Sequence, residues 1–437
     1  MRVPEAKDFG NISHLSGPKF PSPLKAFGEE FVSDSDRILK SPNTDLFRFS
    51  PEKDSFPPSF ELAGPRDTNH FTPKSTRVAV VTCGGLCPGL NNILRALVLE
   101  LHHRYGVRSI QGIRFGLQGF IPEYGHFVQE LTPSFVERIL DMGGSVLGSS
   151  RGPQDFERIT DWLEENKINL LFMVGGDGTL TAAHLLCRAI RKRNLDLALV
   201  GIPKTIDNDI PNIDRSFGFD TAVEEAARVI RCAHTEAVAY PNGIGLIKLM
   251  GRHSGFIAAT AALAQQDANF VLVPEAPFDL EGEGGLLSAL KTRLEMRGHA
   301  LIVVAEGAGQ NYCGGQNERD LSGNRKLSDI GLFLKDRIGG YFSEKNIAVS
   351  MKYFDPGYMI RSLPANANDA VFCSFLARNA VHAAMAGKTE MLVGYLNGHF
   401  IHLPLSLCAG QRKHLDPRGR LWRAVLEATG QGALRSL

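Results

Sequence analysis

An α/β fold of more than one domain, built mainly from parallel strands behind an irregular N-terminal arm, is predicted by three observations. From Arg77 onward, short β-branched apolar runs alternate with longer stretches of helical period, the pattern of successive βαβ units. Almost every predicted strand ends in a polar or glycine-rich cluster. The 437 residues exceed the size at which one hydrophobic core stops growing.

The arm, residues 1–76, comes first. Its segment SPEKDSFPPSFELAGPRDTNHFTPKST is rich in Pro, Ser and charge and keeps neither helical nor strand period. Such a segment lies on the main body, meets a partner subunit or stays disordered. The remainder, residues 77–437, reads as one catalytic region. Its predicted strands are RVAVVTC (77–83), SIQGIRFG (109–116), INLLFMVGG (168–176), LALVGIP (197–203), IGLIKLM (244–250), NFVLVPE (269–275), ALIVVAE (300–306) and IAVSMKYF (347–354). Helices are expected in GLNNILRALVLELHHRYG (89–106), TLTAAHLLCRAIRKRN (179–194) and TAVEEAARVIRCAHTEAVA (221–239). Asn397-Gly398 between the apolar runs of MLVGYLNGHFIHLPL marks a hairpin, and LWRAVLEA a last helix.

The balance of charge excludes several partners. With 43% hydrophobic and 22% charged residues and a net charge of +1, the chain is an ordinary globular protein. Nothing argues for nucleic acid or an acidic membrane surface. No apolar run reaches the ~18 residues of a membrane span, and MRVPEAKDFG lacks the apolar core of a secretory signal, so a cytoplasmic protein is expected. The seven cysteines are scattered, which fits reduced thiols; Cys83 and Cys87 are close enough for a metal or redox pair but lack a second pair at zinc-site spacing.

Five strand ends carry the chemistry: TCGGLCPGLNN, VGGDGT, PKTIDND, LMGRHSG and AEG. In open α/β sheets ligands bind beyond the carboxyl ends of the strands. In the first cluster Gly84 and Gly85 allow close backbone approach, and a helix N-terminus follows that favours an anion; no Gly-Lys-Ser/Thr follows, so it is not a Walker loop. In the second, Gly175, Gly176 and Gly178 surround Asp177, an arrangement that holds phosphate on backbone N–H groups and Mg²⁺ on a carboxylate. The plainer alternative is an Asp-Gly turn with Thr179 as a helix cap. In PKTIDND, Asp207 and Asp209 alternate with Asn208; if extended they share a face, where one meets a substrate hydroxyl and the other supports a metal or its water. Lys204 suits a phosphate as a point charge, and Arg252 suits a charge-dense phosphoryl transition state. Glu306 can fix sugar hydroxyls and Arg361 can clamp a sugar phosphate.

TCGGLCPGLNN, LGSSRGP, VGGDGT, PKTIDNDI, LMGRHSG, VPE, VAEG and YMIR stand in the order seen in phosphofructokinases, and the chain resembles that family from about residue 77 onward. GGDGT is shared with lipid and NAD kinases; PKTIDND followed by MGR is far more selective. The resemblance implies two doubly wound, mostly parallel-sheet lobes with the active site between them. It implies ATP-dependent phosphorylation of fructose 6-phosphate at its C1 hydroxyl, with Mg²⁺, in a homo-oligomeric dimer or tetramer. Asp207 matches the base, Arg252 the transition-state arginine, and Lys204, Thr205 and Asp209 the rest of the catalytic stretch. Gly85, Arg151, Gly176, Gly178 and Thr179 match the ATP side, with Asp177 at the metal position. Thr205, Ile206, Met250, Gly251, Glu306, Lys352, Tyr358, Met359, Ile360 and Arg361 match the sugar-phosphate side.

Departures from the short bacterial form are Tyr358 in place of a histidine, Lys352 in place of an arginine and Gly243 in place of another. With the arm, they resemble the longer branch related to pyrophosphate-dependent enzymes. In that family, pyrophosphate users carry an aspartate directly after GGD, which crowds the nucleotide; Gly178 here implies room for ATP, whereas Lys204 resembles the pyrophosphate type. Steric exclusion outweighs one added cation, so ATP is the expected donor and pyrophosphate the alternative. A silent sugar-phosphate sensor is the rival from another class; Asp177, Asp207 and Arg252 argue against it.

Overall fold

The structure, a computed structural model, describes residues 10–43, 57–314, 318 and 326–435. The chain divides into two compact units. One comprises Met1–Thr205, Ile210–Gly218 and Leu363–Arg412, the other Ile206–Asp209, Phe219–Ser362 and Lys413–Leu437.

The first unit is organised by a nine-stranded sheet. Its five central strands run parallel in the order Met391–Leu396, Ala198–Pro203, Leu170–Gly175, Arg77–Thr82, Ser109–Ile113. These strands read as unbroken apolar runs because both faces are covered. Ala79 and Val81 enter a core with Leu171, Met173 and Leu199, closed by Leu180, Leu186 and Ile190 of the helix Asp177–Lys192. Val78 and Val80, pointing the other way, are equally buried. The helix Leu90–Leu99 packs instead on Ala367–Met385.

Strand order fixes where a ligand can enter. From Arg77–Thr82 the chain moves to Ser109–Ile113 on one side and then to Leu170–Gly175 on the other. The order therefore reverses between Arg77–Thr82 and Leu170–Gly175, and the crevice beyond their carboxyl ends is a topological switch point. TCGG and GGDGT are the two loops that leave those ends.

The expected hairpin is present, with Asn397 at φ 50° and Gly398 at φ 85°, joining Met391–Leu396 to His399–Pro404. The arm then prolongs the sheet: Ser59–Leu62 pairs antiparallel with His399–Pro404, and Arg37–Leu39 pairs with Ser59–Leu62. Ser13–His14 pairs with Lys388–Thr389. A charged cluster fastens these pieces. Lys388, 1% exposed, lies 2.7 Å from Asp34 and 2.6 Å from Glu61; Arg66 bonds the same two carboxylates, and His402 meets Glu61 at 2.7 Å. Buried charges are tolerated here because each is paired.

The second unit carries a four-stranded parallel sheet in the order Phe270–Leu272, His299–Ala305, Gly243–Leu249, Ser350–Phe354. Ile244, Leu246, Ile302 and Val304 form one core with the helices Leu286–Arg297 and Ile330–Glu344. The helices Phe219–Val238 and Phe256–Gln265 pack together and against the same sheet. Contact with Phe219–Val238 is so close that a Cβ at Gly243 would stand 1.9 Å from the carbonyl oxygen of Ala237. No helix among the described residues is long and apolar enough to cross a membrane.

Candidate active site

In the first unit two glycine turns are tied to one lysine. Gly84 sits at φ +82°, and its carbonyl accepts the Ser149 hydroxyl at 2.6 Å. Lys204 is buried at the end of Ala198–Pro203; its Nζ donates to the carbonyl of Gly85 at 2.6 Å and its backbone N–H to that of Gly175 at 2.9 Å. Arg151 is exposed in the loop that follows Ser149.

The glycines of GGDGT differ in what they do. A Cβ at Gly175 would lie 2.2 Å from the Thr179 hydroxyl, and one at Gly176 would lie 3.1 Å from the Lys204 carbonyl, so both permit close packing. A Cβ at Gly178 would meet nothing within 4 Å. No packing contact requires a glycine at this position. Thr179 is not the helix cap; Gly176 is, and the helix begins at Asp177. Thr179 lies inside the first turn, its N–H bonded to the Gly176 carbonyl at 2.9 Å.

The Asp177 carboxylate takes two donors from far along the chain. The Gly410 N–H reaches one oxygen at 3.2 Å and an Arg412 guanidinium nitrogen the other at 3.1 Å. Among the described residues no three His, Cys, Asp or Glu side chains form a cation cage. A single partly exposed carboxylate at a helix N-terminus, beside open space at Gly178, suits a cation that takes few protein ligands and completes its shell with phosphate oxygens and water. That is the chemistry of Mg²⁺. The Cys83 thiol is pushed up to about 12 by burial, which fits a packing role better than a redox one.

The chain leaves this unit after Thr205, whose carbonyl accepts the Ser216 hydroxyl at 2.7 Å. Residues 206–209 belong to the second unit. Asn208 is left-handed, at φ 53°, so the stretch is not extended, and simple alternation does not put Asp207 and Asp209 on one face. Ile206 is buried; the Asp207 carbonyl accepts Ser254 Oγ at 3.2 Å and the Asp209 carbonyl the Lys413 N–H at 2.7 Å.

MGR and AEG lie side by side at the ends of adjacent strands. Glu306 N–H bonds the Leu249 carbonyl at 2.9 Å, and Gly307 N–H that of Gly251 at 3.1 Å. Gly251 needs its missing side chain twice over: φ is +132°, and a Cβ would approach the Ser254 carbonyl to 2.5 Å. Burial raises the Glu306 carboxyl above its ordinary range, against the opposing pull of Arg252, Lys248 and Arg361. Three cations thus act on one carboxylate in this unit.

The short helix Gly357–Arg361 presents Tyr358 and Met359 to solvent and buries Ile360. The Arg361 guanidinium sits 4.5 Å from the Tyr358 ring centre. Met250 packs beside Gly357, its Cγ 3.7 Å from where a Cβ would stand. Lys352 lies over the Tyr240 ring at 4.9 Å. Gly243 offers no room for the arginine that it replaces.

Two groups escaped sequence reasoning. The Glu275 carboxylate, within VPE, accepts the Gly255 N–H at 3.0 Å and the Leu415 N–H at 2.8 Å, so it holds the start of Phe256–Gln265 just after the MGRHS turn. Lys248 bridges Asp329 at 2.6 Å and Asp355 at 2.9 Å. These partners are remote in sequence, and no local spacing announces them.

The family model "Phosphofructokinase" matches residues 77–384, most of the chain. The chain belongs to the phosphofructokinase family. It is 49% identical to the ATP-dependent 6-phosphofructokinase of Borreliella burgdorferi over 85% of each chain. It is 46% identical to that of Amycolatopsis methanolica, over 94% of this chain and 90% of the other, and 42% identical to that of Trypanosoma cruzi, over 96% and 87%. Among solved structures, a pyrophosphate-dependent phosphofructokinase from Marinobacter aquaeolei aligns with a TM-score of 0.67 at 19% identity, covering 82% of this chain and 92% of that one. A phosphofructokinase from Saccharomyces cerevisiae aligns at 0.65 and 22% identity, covering 81% and 50%. The structural matches agree on the phosphofructokinase fold, two sheet-centred α/β units of mostly parallel strands.

Proposed function

We propose that the chain transfers the terminal phosphoryl group of ATP to the C1 hydroxyl of fructose 6-phosphate, giving fructose 1,6-bisphosphate and ADP, a phosphorylation of glycolysis. The observation that carries this reading is the 42–49% identity, over most of the chain, to relatives that are each named ATP-dependent 6-phosphofructokinase. The open space at Gly178 supports it, since a nucleotide needs room where a pyrophosphate user places an aspartate.

In this reading Asp207 accepts the proton of the C1 hydroxyl as the bond to phosphorus forms. Arg252 offsets the charge that develops on the transferring group, and Lys204 braces the glycine turns while adding a cation on the donor side. Gly85, Arg151, Gly176, Gly178 and Thr179 receive the nucleotide phosphates. Asp177 would hold Mg²⁺, whose positive charge would offset that of the phosphate oxygens. Glu306, Met250, Gly251 and Arg361, with Lys352 and the segment Tyr358–Ile360, receive the sugar phosphate. We place the enzyme in the cytoplasm, as a homo-oligomer.

Fructose 1,6-bisphosphate formation from fructose 6-phosphate is assayed with ATP and pyrophosphate offered separately. Turnover with ATP alone is the expected result. Turnover with pyrophosphate alone would keep the acceptor and overturn the donor.

A further inference from the structure

The segment 410–415, GQRKHL, was singled out by no motif, yet every residue from Gly410 to Leu415 except Gln411 bonds to a site element or to a neighbour of one. Within the first unit, Gly410 and Arg412 converge on the Asp177 carboxylate. Within the second, the Lys413 N–H meets the Asp209 carbonyl at 2.7 Å, His414 Nδ1 meets the His253 carbonyl at 2.9 Å, and the Leu415 N–H meets Glu275.

Arg412 is the chemically loaded member. Asp177 fixes its guanidinium at the first residue of the helix Asp177–Lys192, beside the open space at Gly178. One nitrogen is committed to the carboxylate, and the side chain keeps 27% of its surface exposed. A guanidinium carries five N–H donors, so most of its fork remains for another acceptor. Gly410, at φ +70° and with nothing within 4 Å of a Cβ, leaves the approach unobstructed. Arginine is the residue that best matches phosphate oxygens in paired hydrogen bonds.

We propose that Arg412 is a binding residue for the polyphosphate of the donor, held at the glycine turn by Asp177. This rests on the donor-side reading of GGDGT given above. Asp177 would then have two tasks: it would offer an oxygen to the metal, and it aims the arginine.

The test is equilibrium binding of ATP, inorganic tripolyphosphate and adenosine to wild type, Arg412→Gln and Arg412→Lys, each with and without Mg²⁺. Loss of a charge-assisted phosphate contact predicts Kd values about 10- to 100-fold weaker for ATP and tripolyphosphate in Arg412→Gln. Adenosine affinity and KM for fructose 6-phosphate stay within twofold, and Arg412→Lys recovers part of the loss. Unchanged tripolyphosphate affinity in Arg412→Gln would overturn the proposal. So would an equal loss for adenosine, which marks a displaced loop. If wild type turns over fructose 6-phosphate with pyrophosphate and not ATP, the donor reading fails by itself; pyrophosphate affinity of Arg412→Gln then decides the role of the arginine.

Discussion

The Lys204 ammonium donates to the Gly85 carbonyl at 2.6 Å, so one buried cation spans from the end of its own strand to the glycine turn of another. Replacing Lys204 by Met keeps length and removes the donor. A lost hydrogen bond from a charged group costs about 1–3 kcal/mol. The urea midpoint should fall with an unchanged slope, and KM for ATP should rise. An unaltered midpoint and KM would show that the contact neither stabilises the fold nor shapes the site.

The first and last glycines of GGDGT should respond oppositely to substitution. Gly175→Ala forces a Cβ to within 2.2 Å of Thr179 Oγ1 and should destabilise the fold by about 1–3 kcal/mol. The Cβ of Gly178→Asp meets nothing within 4 Å, so the melting temperature should hold while ATP turnover falls. Wild-type ATP kinetics in Gly178→Asp would remove the steric argument for the donor.

Asp207→Asn should lower kcat by ~10²–10⁴ and leave fructose 6-phosphate affinity nearly intact, because a general base acts in the transition state. Single-turnover rates beside equilibrium binding separate the two effects. A variant turning over at the wild-type rate would send the search for the base elsewhere.

Acid should loosen the arm. Burial pushes His402 down to about 4, although the neighbouring Glu61 favours its charged form, while Glu61 is held down at about 2 by His402 and Lys388 despite its own burial. His402 therefore stays neutral in the fold over a range where an unfolded histidine, near 6.5, takes a proton. Below 6.5 the unfolded state binds more protons, so this stability is present above 6.5 and is lost as pH falls toward 4. His402→Phe should flatten that part of the stability–pH curve; an identical slope would exclude His402 as its source.

Gly243→Arg, which restores the residue of the short bacterial form, should fail here. Its Cβ would stand 1.9 Å from a helix carbonyl, so loss of soluble protein is expected, and a soluble variant of normal melting temperature would mean that the helix end yields easily.

Most of the fold was legible because its signals are local. The βαβ alternation, the hairpin at Asn397-Gly398 and the glycine turns each need only a few consecutive residues to declare themselves. The arm was less legible: Ser59–Leu62 becomes a strand by pairing with His399–Pro404, a partner more than 300 residues away. The site divides the same way. Asp177, Asp207, Arg252 and Glu306 are proposed site residues that the ends of apolar runs point to. The shared face of Asp207 and Asp209 was conditional on an extended stretch, and Asn208 is left-handed, so that condition is not met.

The sequence by itself determined the family, the order of the strands along the chain and the residues proposed to carry phosphate chemistry, because those depend on which groups are present and on short spacing. Only the tertiary structure decided that Gly175 serves packing while Gly178 leaves room, that Lys204 ties two turns, and that Arg412 stands on Asp177. Those outcomes are distances between atoms far apart along the chain, and a contact of that kind has no energy until folding brings both partners together.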